Sequence, residues 1–259
     1  MPERAPVRLA IDGALATVTL DRPEKLNALT LEMLDELSGI AARLDEERSL
    51  RCAIVTGAGD RAFCVGADVR AWSALEPLDM WRTWVKRGHQ VFEQWARLRL
   101  PVIAAINGHA LGGGLELAAA ADVRVAAIGA SFGLPEASIG AVPGWSGTQR
   151  LVKLIGPTRV KYLALTGRRI DAAEAYRLGL IAEPASADAL RAARAIADDI
   201  CRLAPVSVQL AKQLVDAGAG EGLAAALEAM AGGLAASTED AREGKASFAQ
   251  RRTATYHGA

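Results

Sequence analysis

The sequence is short of cysteine, of surplus charge and of any long apolar run, and each shortage closes off a class of protein. Three widely spaced cysteines (Cys52, Cys64, Cys201) in 259 residues supply neither a disulfide framework nor a zinc signature, which fits a reducing cytosol. Lys plus Arg and Asp plus Glu stand at 30 each, so no bulk field draws nucleic acid or an anionic membrane. A local cluster can still hold an anion. No window approaches the ~20 apolar residues of a membrane span. The opening stretch Met1-Pro2-Glu3-Arg4-Ala5-Pro6 lacks the apolar region of a secretion signal. His89, His109 and His257 are isolated from carboxylate or thiol neighbours at ligand spacing, so no metal site is expected. No low-complexity linker or fixed-period repeat is evident. What is present, 51% hydrophobic and 23% charged residues, suffices for a sizeable core in one cytoplasmic globular unit.

Val7 to Ile11 alternates, Asp12-Gly13 is a strong turn, and Leu15 to Leu20 alternates again, which predicts a β-hairpin. Thr30 caps a predicted helix with Leu31, Leu34, Leu37 and Leu44 at helical spacing. Cys52 to Thr56, Pro101 to Ile106 and Asp122 to Ala126 read as buried strands. A helical stretch around Asp79 to Leu98 places Trp81, Trp84, Val91 and Trp95 near one face. This alternation predicts an α/β core with partly parallel strands. From Asp188 onward the pattern is helical: Ala189 to Leu203, Val206 to Val215, Leu223 to Ala236 and Thr238 to Arg252. Pro205 and Gly218-Ala219-Gly220 punctuate it. Ala and Leu on several faces of that tail point to subunit contacts.

The stretch from Ile106 to Glu116 carries three consecutive glycines, Gly112 to Gly114, directly before an Ala-rich helix. Such a run turns sharply and leaves backbone N–H groups uncovered, and a helix N-terminus adds unpaired donors and partial positive charge. It suits an oxygen that becomes negative, with Glu116 beside it as an acid–base group. Gly66-Ala67-Asp68 has two readings, Asp68 as a plain helix cap or the Ala67 N–H as a second donor into the same pocket. Glu116 and Glu136 each have a bland reading too, as first-turn complements of a helix dipole.

Two other motifs fall short. Gly57-Ala58-Gly59-Asp60-Arg61-Ala62 superficially fits the dinucleotide fingerprint, but Phe63-Cys64-Val65-Gly66 does not open a long helix, so it reads as a turn. Gly144-Trp145-Ser146-Gly147-Thr148 misses the nucleophile elbow by one residue, and no acid–His–Ser order supports a serine hydrolase.

Several segments in order resemble the enoyl-CoA hydratase/isomerase (crotonase) family over nearly the whole chain. They are Asp21 to Leu29, Phe63 to Asp68, Pro101 to Gly108, Ala110 to Leu117, Phe132 to Glu136 and Pro143 to Arg150. The resemblance implies an α/β fold, a crotonase-like spiral of ββα units over residues 1–195, and a C-terminal helical oligomerisation region over residues 196–259. It implies a homotrimer or a hexamer built as a dimer of trimers, an acyl-CoA thioester substrate, and no cofactor or metal beyond the coenzyme A of the substrate.

By position, the backbone N–H groups of Ala67 and Gly113 would form an oxyanion hole. Glu116 would deprotonate the water that attacks C3 of a trans-2-enoyl-CoA, and Glu136 would deliver a proton to C2. The resemblance places Lys25, Ala28, Ala62, Asp68, Val69, Lys245 and Phe248 along the coenzyme A groove. It also carries alternatives: a double-bond isomerase, and a non-catalytic or RNA-binding member of the fold, which neutral charge and the two glutamates disfavour. The family's hydratases have small residues where this chain has Trp145 and Ser146, so Trp145, next to Gly144, either walls the acyl pocket or packs outward.

Overall fold

The computed structural model describes residues 5–219 and 224–259. Met1 to Arg4, Gly220 and Leu223 of the readings above lie outside the described residues. The predicted hairpin forms as β1 (Val7–Asp12) and β2 (Leu15–Leu20), in antiparallel register from Val7 opposite Leu20. Thr30 caps α1 (Leu31–Glu46) by accepting from the Met33 N–H, and Met33, Leu34, Leu37, Ala41 and Leu44 form its buried face. Then follow β3 (Cys52–Gly57), β4 (Ala62–Cys64), α2 (Val69–Trp72) and α3 (Pro77–Asp79). The chain continues through a π-helical turn, Met80–Val85, into α4 (Lys86–Ala96). The expectation of one regular helix here needs correction. The wider turn shifts the side-chain phase, so Trp84 is buried while Trp81 is 65% exposed.

Next come β5 (Val102–Ile106), β6 (His109–Leu111), α5 (Gly113–Ala120), β7 (Val123–Ala126) and β8 (Ser131–Gly133). A single 3₁₀ turn, Glu136–Ile139, precedes α6 (Gly147–Thr166), which kinks at Gly156-Pro157. β9 (Arg169–Asp171) and α7 (Ala172–Arg177) complete the core strands. α8 (Ala189–Cys201), α9 (Pro205–Gly218), α10 (Ala224–Ser237) and α11 (Glu239–Gln250) form the helical tail.

The strands lie in two sheets, ordered β1-β2-β3-β5-β7 and β4-β6-β8-β9. β3, β5 and β7 each cross from the first sheet into the second as β4, β6 and β8 before a helix follows. This repeated strand–strand–helix path is the expected ββα spiral. The corners are tight. A Cβ at Gly57 would sit 2.4 Å from the Phe63 carbonyl, and one at Gly108 2.4 Å from the Arg61 carbonyl. Two asparagines tie the corners together. Asn27 Nδ2 donates to the carbonyls of Ala58 (3.0 Å) and Ala62 (2.8 Å), and Asn107 Nδ2 donates to that of Gly59 (2.8 Å). The Gly57–Ala62 segment is therefore a corner, as the turn reading anticipated.

The main core lies between the sheets and helices α1, α4 and α5. α8 lays Ala189, Ala193 and Ala197 on the outer face of the first sheet, against Ile54, Ile103 and Val125. The boundary placed after residue 195 thus falls within a helix that covers this sheet. Among the described residues no helix is long and apolar enough to cross a membrane.

Candidate active site

The site collects at the carboxyl ends of three adjacent parallel strands, β4, β6 and β8. Open α/β sheets generally present their crevices at this edge. Past β4, Ala67 makes an isolated parallel bridge to Leu29: the Leu29 N–H donates to the Gly66 carbonyl, and the Asp68 N–H donates to the Leu29 carbonyl. That register turns the Ala67 N–H to the opposite side, away from Leu29. Past β6, Gly112 bonds back to the Gly133 carbonyl and adopts φ +52°, ψ −127°, a backbone open essentially to glycine. Gly113 is then the first residue of α5, so its N–H is among the donors the helix cannot satisfy.

The two donors are neighbours. A Cβ on Gly113 would lie 3.5 Å from Gly66 Cα, and one on Gly66 would lie 3.0 Å from the Gly113 nitrogen. Two N–H groups on adjacent turns like these could both donate to a single oxygen.

Glu116, in the first turn of α5, is 2% exposed. Its Oε1 accepts from the N–H groups of Trp145 and Gly147, both at 2.9 Å. Burial pushes this carboxyl up, while the two N–H donors and the nearby Arg150 guanidinium oppose the shift and favour the charged form. Glu136, at the start of the 3₁₀ turn beyond β8, reaches back so that a Cβ on Gly112 would meet its Oε1 at 3.0 Å. Both Glu136 oxygens are buried without a hydrogen-bond partner. Burial first, and the Glu116 charge in addition, lift its pKa to about 7. Burial thus raises both carboxyls, Glu116 against the pull of its N–H donors and Glu136 to about 7.

Trp145 is wedged between two helices. Its ring lies against Phe92 (centroids 5.3 Å, edge-on) and Trp84 (5.6 Å), above Gly88, with its edge on Gly113. It is 3% exposed, and Gly144 beside it borders Val85.

The residues expected along the coenzyme A groove are spread more widely. Lys25 is exposed in a 3₁₀ turn, Pro23–Lys25, and Val69 is exposed at the start of α2. The Ala28 carbonyl accepts from Arg22 Nη1 at 2.6 Å, and the Ala62 carbonyl is the one Asn27 holds. Asp68 caps α2 through the Arg70 N–H and pairs with Arg22 at 3.1 Å, so its carboxylate already has two structural duties. Lys245 and Phe248 are exposed on α11, which packs against α10 and is fastened to the chain's end by Asp240. No hydrogen bond or ion pair joins either residue to Glu116 or Glu136 among the described residues. Three residues near the site had drawn no functional reading: Asn27, Asn107 and His89. Each acts through a partner distant in sequence, and no local pattern marks such a contact.

The family model for Enoyl-CoA hydratase/isomerase matches residues 10–259. A short-chain-enoyl-CoA hydratase of Clostridium acetobutylicum is 38% identical over 251 residues, covering 95% of this chain and 95% of the relative. A crotonyl-CoA hydratase of Syntrophomonas wolfei is 37% identical over 249 residues, 93% of this chain and 94% of the relative. The crystal structure of an enoyl-CoA hydratase from Bacillus anthracis superposes with a TM-score of 0.92 at 38% identity, covering 98% of this chain and all of that one. With the two-sheet spiral, the paired N–H donors and both glutamates in place, the chain belongs to the enoyl-CoA hydratase/isomerase family.

Proposed function

We propose that this protein is an enoyl-CoA hydratase, a hydro-lyase that adds water reversibly to a trans-2-enoyl-CoA to give the 3-hydroxyacyl-CoA. One observation carries the reading: two carboxyls, Glu116 gripped by the N–H groups of Trp145 and Gly147 and Glu136 with buried oxygens and its pKa raised to about 7, stand beside the neighbouring backbone N–H groups of Ala67 and Gly113. The thioester oxygen accepts from Ala67 and Gly113. Glu116 Oε2 takes a proton from water as the oxygen bonds to C3. The π electrons of the 2,3 bond move toward the carbonyl, whose growing negative charge the two N–H groups hold. Glu136 then gives its proton to C2 as the carbonyl re-forms. Exchange with solvent returns Glu116 to the carboxylate and Glu136 to the acid.

Isomerisation of a double bond needs one carboxyl to move one proton, and the second buried glutamate is then idle. Hydration uses both. No metal or redox group is required, because the coenzyme A thioester itself supplies the electron sink. Lys25, Ala28, Ala62, Asp68, Val69, Lys245 and Phe248 are assigned to the coenzyme A groove, and Gly144 and Trp145 to the acyl end. The placement of Trp145 against Gly113 favours short acyl chains. The assembly is a homotrimer, or two trimers paired.

The test is loss of enoyl absorbance when pure protein meets crotonyl-CoA. Glu116→Gln and Glu136→Gln should each cut kcat by at least about a hundredfold. No turnover by wild type, full activity in either variant, or faster conversion of 3-enoyl than 2-enoyl thioesters overturns the reading.

A further inference from the structure

Ser146 sits between the two residues whose N–H groups grip Glu116 Oε1, and its own backbone is left-handed, with φ +69°. It is the residue before α6, where a serine hydroxyl ordinarily accepts from the helix's first N–H groups. Here it makes no such cap. Instead the hydroxyl is hydrogen-bonded to Nδ1 of His89, on α4, 57 residues away in sequence. A non-glycine residue in this conformation is strained unless its surroundings hold it there. Glycine would adopt the same turn freely. The chain therefore carries a strained serine at the middle of the Glu116 clamp, with a hydroxyl directed at a partner on another helix.

The clamp has little slack. Trp145 is fixed on one side by Trp84 and Phe92, and Gly147 lies so close that a Cβ there would be 2.1 Å from Glu116 Cγ. The left-handed turn at Ser146 joins the two residues whose N–H groups converge on Oε1. Behind it, His89 and Ser146 line a cavity of about 740 Å³ that also borders Glu93 and Arg150, which pair at 2.5 Å. His89 reaches the Glu116 clamp through the Ser146 hydroxyl.

We propose that His89 and Ser146 are positioning residues for Glu116: their hydrogen bond holds the 145–147 turn so that both N–H groups converge on Oε1. This rests on the role of Glu116 as the base in hydration, and it goes beyond that role by assigning the device that aims the base. Misaiming a catalytic group by about an ångström costs on the order of a hundredfold in rate, with substrate binding little affected.

Crotonyl-CoA hydration by the full-length protein, with thermal melting in parallel, tests the assignment on His89→Ala, His89→Asn, Ser146→Ala and Ser146→Gly. His89→Ala and Ser146→Gly should each lower kcat about ten- to a hundredfold, with KM within about twofold of wild type. The His89→Ala/Ser146→Gly double variant should fall no further than either single change, because both remove one contact. His89→Asn, whose amide reaches the place of Nδ1, should recover most of the rate. Ser146→Gly relieves the strained backbone and should melt no lower than wild type, which separates lost aim from lost fold if Ser146→Ala fails to fold.

Unchanged kcat in His89→Ala, a rise in KM instead of a fall in kcat, additive losses in the double variant, or no recovery in His89→Asn would each overturn the proposal. These outcomes are distinct from failure of the hydratase reading, in which wild type itself does not turn over crotonyl-CoA.

Discussion

At the scale of single residues, Glu136 shows what a buried, unpaired carboxyl costs its protein. Its buried, unpartnered oxygens raise its pKa from the ordinary 4.5 to about 7. Between those values the folded chain holds a proton that the unfolded chain has released. The stability tied to this group is therefore fully present below pH 4.5 and is lost as the pH climbs through about 7. Glu136→Gln replaces a costly charge by a neutral amide. It should raise the unfolding free energy at alkaline pH by about 1 kcal/mol, after discounting for partial exposure, and by less at mildly acid pH. Melts of both proteins at the two pH values check the sign.

The same carboxyl governs turnover. Hydration draws on its protonated form, so kcat/KM for crotonyl-CoA should decline as the pH rises past about 7. A profile level well into the alkaline range contradicts that assignment. Gly147 makes a complementary case. A Cβ there would crowd Glu116 Cγ at 2.1 Å, so Gly147→Ala must shift either the base or its clamp. Its kcat should drop about a hundredfold, and the overpacking should lower the melting temperature as well.

At the scale of elements, the four strands of the second sheet are only three residues each. Three residues hold one and a half periods of alternation, too few to be read by pattern, so β4, β6, β8 and β9 were invisible in the sequence. The longer strands β1, β2, β3, β5 and β7 were legible because apolar or alternating runs of four to six residues announce them. Thr30 and its leucines announced α1 in the same way. The π turn at Met80–Val85 was not legible, because one extra residue per turn leaves composition untouched.

The site divides similarly. The glycine run, Ala67, Glu116 and Glu136 could each be found, yet on residues alone every one had an ordinary capping role. Only their ordered resemblance to a family joined them. Contacts such as Ser146 with His89, or Asn27 with Ala62 35 residues on, have no local trace. Asn27 is fully buried, left-handed at φ +57°, and bonded to Ala58 and Ala62 while accepting from the Arg22 N–H. Asn27→Ala should cost about 2–4 kcal/mol by urea denaturation, through stranded buried carbonyls and backbone strain together.

At the scale of the whole molecule, the helical tail turns large apolar side chains outward. Val215 is 72% exposed, Leu234 59% and Phe248 88%. A patch of this kind on α9 to α11 calls for cover by another surface, and further copies of this chain are the occupant we expect. Sedimentation equilibrium should return a mass of three or six chains, and Leu234→Asp should shift the population toward smaller species. A wild-type monomer at micromolar concentration overturns that expectation.

The parallel order β4-β6-β8 has a consequence for how such a protein changes its chemistry. Neighbouring strands stand about 4.8 Å apart, roughly the span of four covalent bonds. In the proposed reaction the carbonyl oxygen lies between the ends of β4 and β6, C3 faces Glu116 on α5, and C2 faces Glu136 past β8. Replacing what the end of β8 carries alters the fate of C2 and leaves the grip on the carbonyl untouched, so one strand end can be rewritten without disturbing the other two. A new reaction can then arise from a single local change in a frame that otherwise stays as it is.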